Sequence, residues 1–250
     1  MIPSRYNLIH ALAATTVLLA VVFFQGFAAF WRQFVYGLAV PMTPSVMLQS
    51  FLLTAALFGT LWLVLWASTF LAGGIARGPV ANREHKGGAG PIRLPLRAAV
   101  GLAARWSPLI IAIALGLNWL CAAGIEHFAG VEPSDQELVK CFADGNTPLS
   151  FRLALGFLVL FEAPLFEEPL FRGIMFRGFA SSVPVWAAMA LSGILFALVH
   201  VNAASFIALC FLGCAFAELY RRTGTILAPM TAHALFNAAN LALLPFISGQ

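Results

Sequence analysis

Charge is what this chain of 250 residues has least of. Lys, Arg, Asp and Glu together make up 10% of it, against about 25% in soluble domains. No charged side chain occurs between Arg32 and Arg77, a stretch long enough for more than one membrane crossing. So few charges cannot coat a soluble domain of this length, and the 61% hydrophobic content reads as a polytopic membrane protein. Metal-type CxxC pairs are also lacking. Of the four cysteines, Cys210 and Cys214 lie one turn apart on an apolar run and read as buried packing thiols, and Cys121 and Cys141 flank a loop. HExxH is absent, which excludes a zincin by pattern, and no Ser or Cys stands at an obvious spacing from a His for covalent catalysis. Low-complexity tracts and internal repeats are missing as well.

The apolar runs are long and continuous, which predicts an all-α, polytopic transmembrane helical bundle of about seven spans, six to eight. The spans are expected at about 8–30, 46–71, 100–124, 152–177, 184–201, 204–220 and 225–247. The chain divides into N-terminal spans over 1–130 and a second half over 150–245 within one membrane domain, 1–250. The first run, Asn7 to Phe30, is too long for a signal peptide and reads as a retained span.

The net charge of +4 sits in loops and speaks to topology; a nucleic-acid partner is not expected. The linker "RGPVANREHKGGAGPIRLPLR" carries five Arg or Lys against one Glu and is placed in the cytoplasm by the positive-inside rule. Arg172, Arg177, Arg221 and Arg222 fall on the same side, and the acidic 126–144 segment falls outside. The expected location is a multi-pass protein of a bacterial inner (plasma) membrane with a cytoplasmic N-terminus. "PSDQELVKCF" reads as the start of an interfacial helix, with Ser134 as cap and Glu137 three residues on.

Against this background the segment "GFLVLFEAPLFEEPLFRGIMFRGF" is anomalous. A carboxylate at the centre of a membrane helix costs roughly 2.5–3.5 kcal/mol on insertion scales, so such groups face a cavity or a partner. Glu168 and Arg172 are four apart with the acid first, the favourable order for a helical ion pair. Glu167 points about 100° away round the helix and has no such partner; a poorly solvated carboxylate of that kind suits a general base. A knot in which both acids share Arg172 or Arg177 is the plain alternative. Pro164 and Pro169 bracket the acids and are expected to kink the helix near Glu167. Two further spans carry polar groups: Phe196 and His200 one turn apart, and His233 and Asn237 one turn apart with Asn240 beside them. A bundle can converge these groups on one polar pocket, although packing histidines and helix–helix hydrogen bonds would also account for them singly.

The three motifs together resemble the CPBP family of intramembrane proteases, related to the CAAX prenyl endopeptidase. The family pattern EExxxR, FxxxH, HxxxN is matched in order by Glu167-Glu168-Pro-Leu-Phe-Arg172, Phe196-Ala-Leu-Val-His200 and His233-Ala-Leu-Phe-Asn237. The resemblance covers about 160–240. It implies an intramembrane endopeptidase that cuts a membrane-associated or lipidated peptide or protein substrate. It implies that Glu167 activates water, that His200, His233 and Asn237 complete the site, and that Glu168 and Arg172 support it. Glu167, His200 and His233 could hold a divalent metal such as zinc, or the set could work without one; the sequence separates neither. A non-catalytic membrane scaffold or immunity protein, and a small proton-coupled transporter using the same pocket, stay open beside the peptidase.

One geometric tension follows. Drawn as full crossings, the spans put His200 about 15 Å from Glu167 along the membrane normal. The catalytic reading therefore requires that the fifth and sixth segments form a short hairpin, or that the fourth span sits further out.

Overall fold

The computed structural model describes residues 14–15, 94–130 and 147–247, with side chains to 244. The first two expected spans, apart from Ala14 and Thr15, the interfacial helix at 134 and Cys141 lie outside the described residues. Every regular element among the described residues is helical: α1 (Leu96–Ala129), α2 (Leu149–Ala180), α3 (Val185–Leu198), α4 (Phe206–Thr223) and α5 (Leu227–Ile247).

Capping chemistry sets several of these limits. Pro95, Pro148 and Pro184 stand immediately before α1, α2 and α3, with extended backbone angles. Gly130 (φ 65°) and Gly224 (φ 66°) end α1 and α4 in the left-handed conformation that glycine adopts without penalty, each returning its N–H to the carbonyl four residues back. The N–H of Leu94 donates to the carbonyl of Thr223 at 3.0 Å, tying the entry of α1 to the exit of α4.

Three helices are long and apolar enough to cross a membrane: α1, α2 and the Leu227–Leu244 part of α5. The fifth and sixth expected spans are present as helices but are not of this kind. Helix α3 has 14 residues, about 21 Å at 1.5 Å per residue, short of a hydrocarbon core of about 30 Å. Helix α4 has 18 residues but carries Glu218, Arg221 and Arg222 in its last turns, where they form ion pairs at 2.5–2.6 Å. The two form a close hairpin. At its crossing a Cβ on Gly213 would meet the Cα of Gly193 at 2.5 Å, and one on Gly193 would meet the carbonyl oxygen of Cys210 at 2.7 Å and the sulfur of Cys214 at 2.9 Å. Hydrogen in place of a side chain lets the backbones touch, as small residues do between membrane helices. Cys210 and Cys214 are packing thiols at this crossing, as expected.

Helix α2 is not regular. Leu158–Glu162 and Pro169–Phe176 are wound as π-helix, with α-helical Ala163–Glu168 between them. The expected kink at the proline pair thus takes the form of two widened stretches flanking the acid doublet. Wide turns of this kind cluster at functional sites. The outer face of α2 presents Leu149, Leu153, Phe157, Phe161 and Leu165, each more than half exposed, an apolar stripe at four-residue spacing of the sort that lipid accepts.

Candidate active site

The second wide stretch of α2 buries Leu170 through Phe176 without interruption. Arg172 lies inside it and is 0% exposed, as is Glu168. A bare buried cation would be strongly unfavourable, and four neighbours compensate it. Its Nη1 donates to Glu168 Oε1 at 3.0 Å and its Nη2 to the carbonyl of Gly213 at 3.2 Å. The guanidinium also stands 4.7 Å from the Phe196 ring centre and 5.2 Å from that of Phe216, within reach of cation–π attraction. The glycine crossing of α3 and α4 is what brings the Gly213 carbonyl so close.

Glu168 does more than neutralise Arg172. The same Oε1 lies 2.8 Å from Nδ1 of His233 on α5. A carboxylate accepts only, so Nδ1 carries the hydrogen and Nε2 is left for other work. Phe216 stacks on the imidazole at 5.3 Å, and Phe196 meets it edge-on at 5.8 Å. The expectation of a simple Glu168–Arg172 pair is therefore extended: the acid joins α2 to α5. Glu167 is only half-buried and bonds to neither Arg172 nor His233; Oε2 of Glu167 and Oε2 of Glu168 are both shielded from solvent without a hydrogen-bond partner.

His200 follows α3 in the turn at 199–201. Its Nδ1 donates to the carbonyl of Phe196 at 2.6 Å, and its ring lies 4.8 Å from the Phe196 ring. Phe196 thus touches Arg172, His200 and His233 at once. His200 is thereby joined to the Glu168–Arg172–His233 string through the Phe196 ring. Val201, next along, holds φ at 48°, an unusual value for a β-branched residue.

Asn237 sits one turn beyond His233, and its Nδ2 donates to the carbonyl of Val159 at 2.8 Å. The local backbone explains this bond. In the first wide stretch the N–H of Ala163 is spent on Leu158, and the next residue, Pro164, has none. Val159 is left without a backbone donor, and Asn237 supplies one from α5. Asn240, expected to border the same face, instead donates to Phe236 of its own helix at 2.9 Å.

Of the sequence-derived set, Glu168, Arg172 and His233 are joined directly, His200 adjoins them through Phe196, and Asn237 fastens the turn before the doublet. Three contributors escaped the sequence reading: Phe216, the Gly213 carbonyl and Ser192, whose hydroxyl donates to the Phe171 carbonyl at 3.1 Å. Only spacing could have flagged Ser192, one turn before Phe196 on the same face.

Among the described residues no group of three or more His, Cys, Asp or Glu side chains gathers as a metal-binding cluster; Nδ1 of His200 and of His233 is engaged, which leaves Nε2 of each as the free ring nitrogen.

Comparison with known proteins reaches the same half of the chain. Residues 148–239 match the family model Rce1-like, type II CAAX prenyl endopeptidase Rce1-like. No curated protein and no solved structure gives a significant match. The matched residues hold all three polar motifs and α2 through most of α5, and over this stretch the chain is similar to Rce1-like, CAAX-type prenyl endopeptidases.

Proposed function

We propose that the protein is an intramembrane endopeptidase that hydrolyses a peptide bond in a membrane-associated or lipidated substrate, with Glu167 as the base that activates water. The observation that carries this reading is the unequal treatment of two neighbouring acids. Oε2 of each acid is shielded without a partner, but Glu168 is held through Oε1 by both Arg172 and His233, whereas Glu167 is half-buried and holds neither. A carboxylate that holds no structural partner is free to accept a proton from water.

In the proposed reaction Glu167 removes a proton from water as the water oxygen bonds to the scissile carbonyl carbon. Negative charge then develops on the carbonyl oxygen. The second amide hydrogen of Asn237 is the donor assigned to that oxygen. His200, with its proton fixed on Nδ1, presents Nε2 as an acceptor that can orient the water. Collapse breaks the C–N bond, and the proton held by Glu167 passes to the departing amine. No step is assigned to a metal, since the residues do not gather as ligands.

The test is cleavage of a prenylated C-terminal peptide and of an unlipidated membrane-anchored peptide by purified protein, with and without chelator. We expect cleavage that survives chelation. Absence of cleavage together with substrate-coupled proton uptake in vesicles would favour the transporter instead.

A further inference from the structure

In each wide stretch of α2 one main-chain carbonyl accepts a hydrogen bond from a side chain of another helix. Asn237 on α5 takes the Val159 carbonyl in the first, and Ser192 on α3 takes the Phe171 carbonyl in the second. Asn237 belongs to a motif; Ser192 belongs to none. Yet Ser192 is 0% exposed, and a buried hydroxyl aimed at one main-chain oxygen fixes that peptide unit against a neighbouring helix.

The peptide fixed is the one that precedes Arg172. Its orientation decides where the Arg172 side chain departs from the backbone, hence whether Nη1 reaches Glu168 while Nη2 reaches Gly213. Glu168 in turn holds His233 by Nδ1. Ser192 and Phe196 project from one face of α3 a turn apart, so the residue that anchors the Phe171 carbonyl is carried with the ring that packs on Arg172. Phe171 and Phe196 also meet edge to face at 5.2 Å. A hydroxyl on α3 thus registers the wide stretch of α2 against the aromatic box.

We infer that Ser192 is a positioning residue for the peptidase site, acting through the Phe171 carbonyl on Arg172, Glu168 and His233. The inference rests on the endopeptidase reading for its kinetic arm and on geometry alone for its spectroscopic arm. A wide turn has poorer hydrogen-bond geometry than an α turn, so an external anchor matters more here than along a regular helix.

The experiment compares wild type, Ser192→Ala and Ser192→Cys, alone and combined with Glu168→Gln, in purified full-length protein. Loss of the anchor should lower kcat about tenfold with KM within about twofold, since small misplacements at a site cost rate steeply. Ser192→Cys, which keeps a weak donor, should fall between. In the Glu168→Gln background Ser192→Ala should add little, because both act on one string. Independent multiplication of the two losses, or an equal rise in KM, would overturn the inference. The second arm reads the imidazole nitrogens of His233 by NMR of histidine-labelled protein, assigned with a His233 variant. Ser192→Ala should shift the Nδ1 resonance from its wild-type position, and an unchanged resonance would overturn the inference even if no peptide is cleaved. Should wild type cleave nothing while the resonance shifts, the endopeptidase reading falls and the positioning role stands.

Discussion

At the scale of single residues, the site is organised around a fully buried cation. Arg172 is fully buried and makes hydrogen bonds to Glu168 and Gly213. Arg172→Leu would leave Glu168 charged and half-compensated, and removing one partner of a buried pair costs about 3–5 kcal/mol. Thermal unfolding in detergent should register that loss, and an unchanged midpoint would contradict it. The two asparagines of α5 should separate cleanly. Asn237 supplies the donor that Pro164 lacks, whereas Asn240 bonds within its own helix. Asn237→Ala should therefore reduce cleavage at least tenfold (about 1.4 kcal/mol, the worth of one such bond), and Asn240→Ala should stay within about 0.5 kcal/mol in stability. Helical spacing made the Glu168–Arg172 pair legible in the sequence, since four residues is one turn. The His233–Glu168 bond was not, because 65 positions separate its partners and only the packing of α5 on α2 brings them together.

At the scale of elements, hydropathy located α2 through α5 to within a few residues, because proline and glycine stand at their ends. It did not reveal that α3 and α4 cross in direct backbone contact. That depends on the contact of Gly193 with Gly213, and a glycine in a greasy run carries no sign of its partner. Gly213→Ala places a methyl 2.5 Å from the Cα of Gly193, and overpacking of this sort costs about 1–3 kcal/mol. The same change would push the Gly213 carbonyl from Arg172, so activity should fall with stability. Gly116, where an added Cβ meets nothing within 4 Å, is the control, and Gly116→Ala should change stability by no more than about 1 kcal/mol, in the stabilising direction if at all. The wide turns were partly legible: the sequence placed a distortion at Pro164 and Pro169, but proline alone does not distinguish a kink from a π-helical stretch.

At the scale of the whole molecule, three helices among the described residues can cross the bilayer by length and composition, and the α3–α4 hairpin packs among them. Non-helical backbone within hydrocarbon is tolerated only where protein or water covers it, so the depth of the turn that holds His200 and Asn202 is a direct question for experiment. Asn202 accepts a hydrogen bond from the N–H of Ser205 at 3.1 Å. In a cysteine-free background, Asn202→Cys should react more slowly with a membrane-impermeant thiol reagent than Phe128→Cys, whose position near the end of α1 is 89% exposed. Equal rates would place the hairpin turn at the aqueous surface and remove the account of how His200 reaches the site.

The division of roles between the two neighbouring acids is open to one direct comparison. Wild type, Glu167→Gln and Glu168→Gln are purified, and cleavage of one prenylated peptide is measured beside thermal unfolding of each. Glu167→Gln should lose cleavage and unfold within a few degrees of wild type, while Glu168→Gln should lower both stability and cleavage yet keep measurable turnover, because Arg172 and His233 lose their shared acceptor. Retained cleavage in Glu167→Gln would contradict the account.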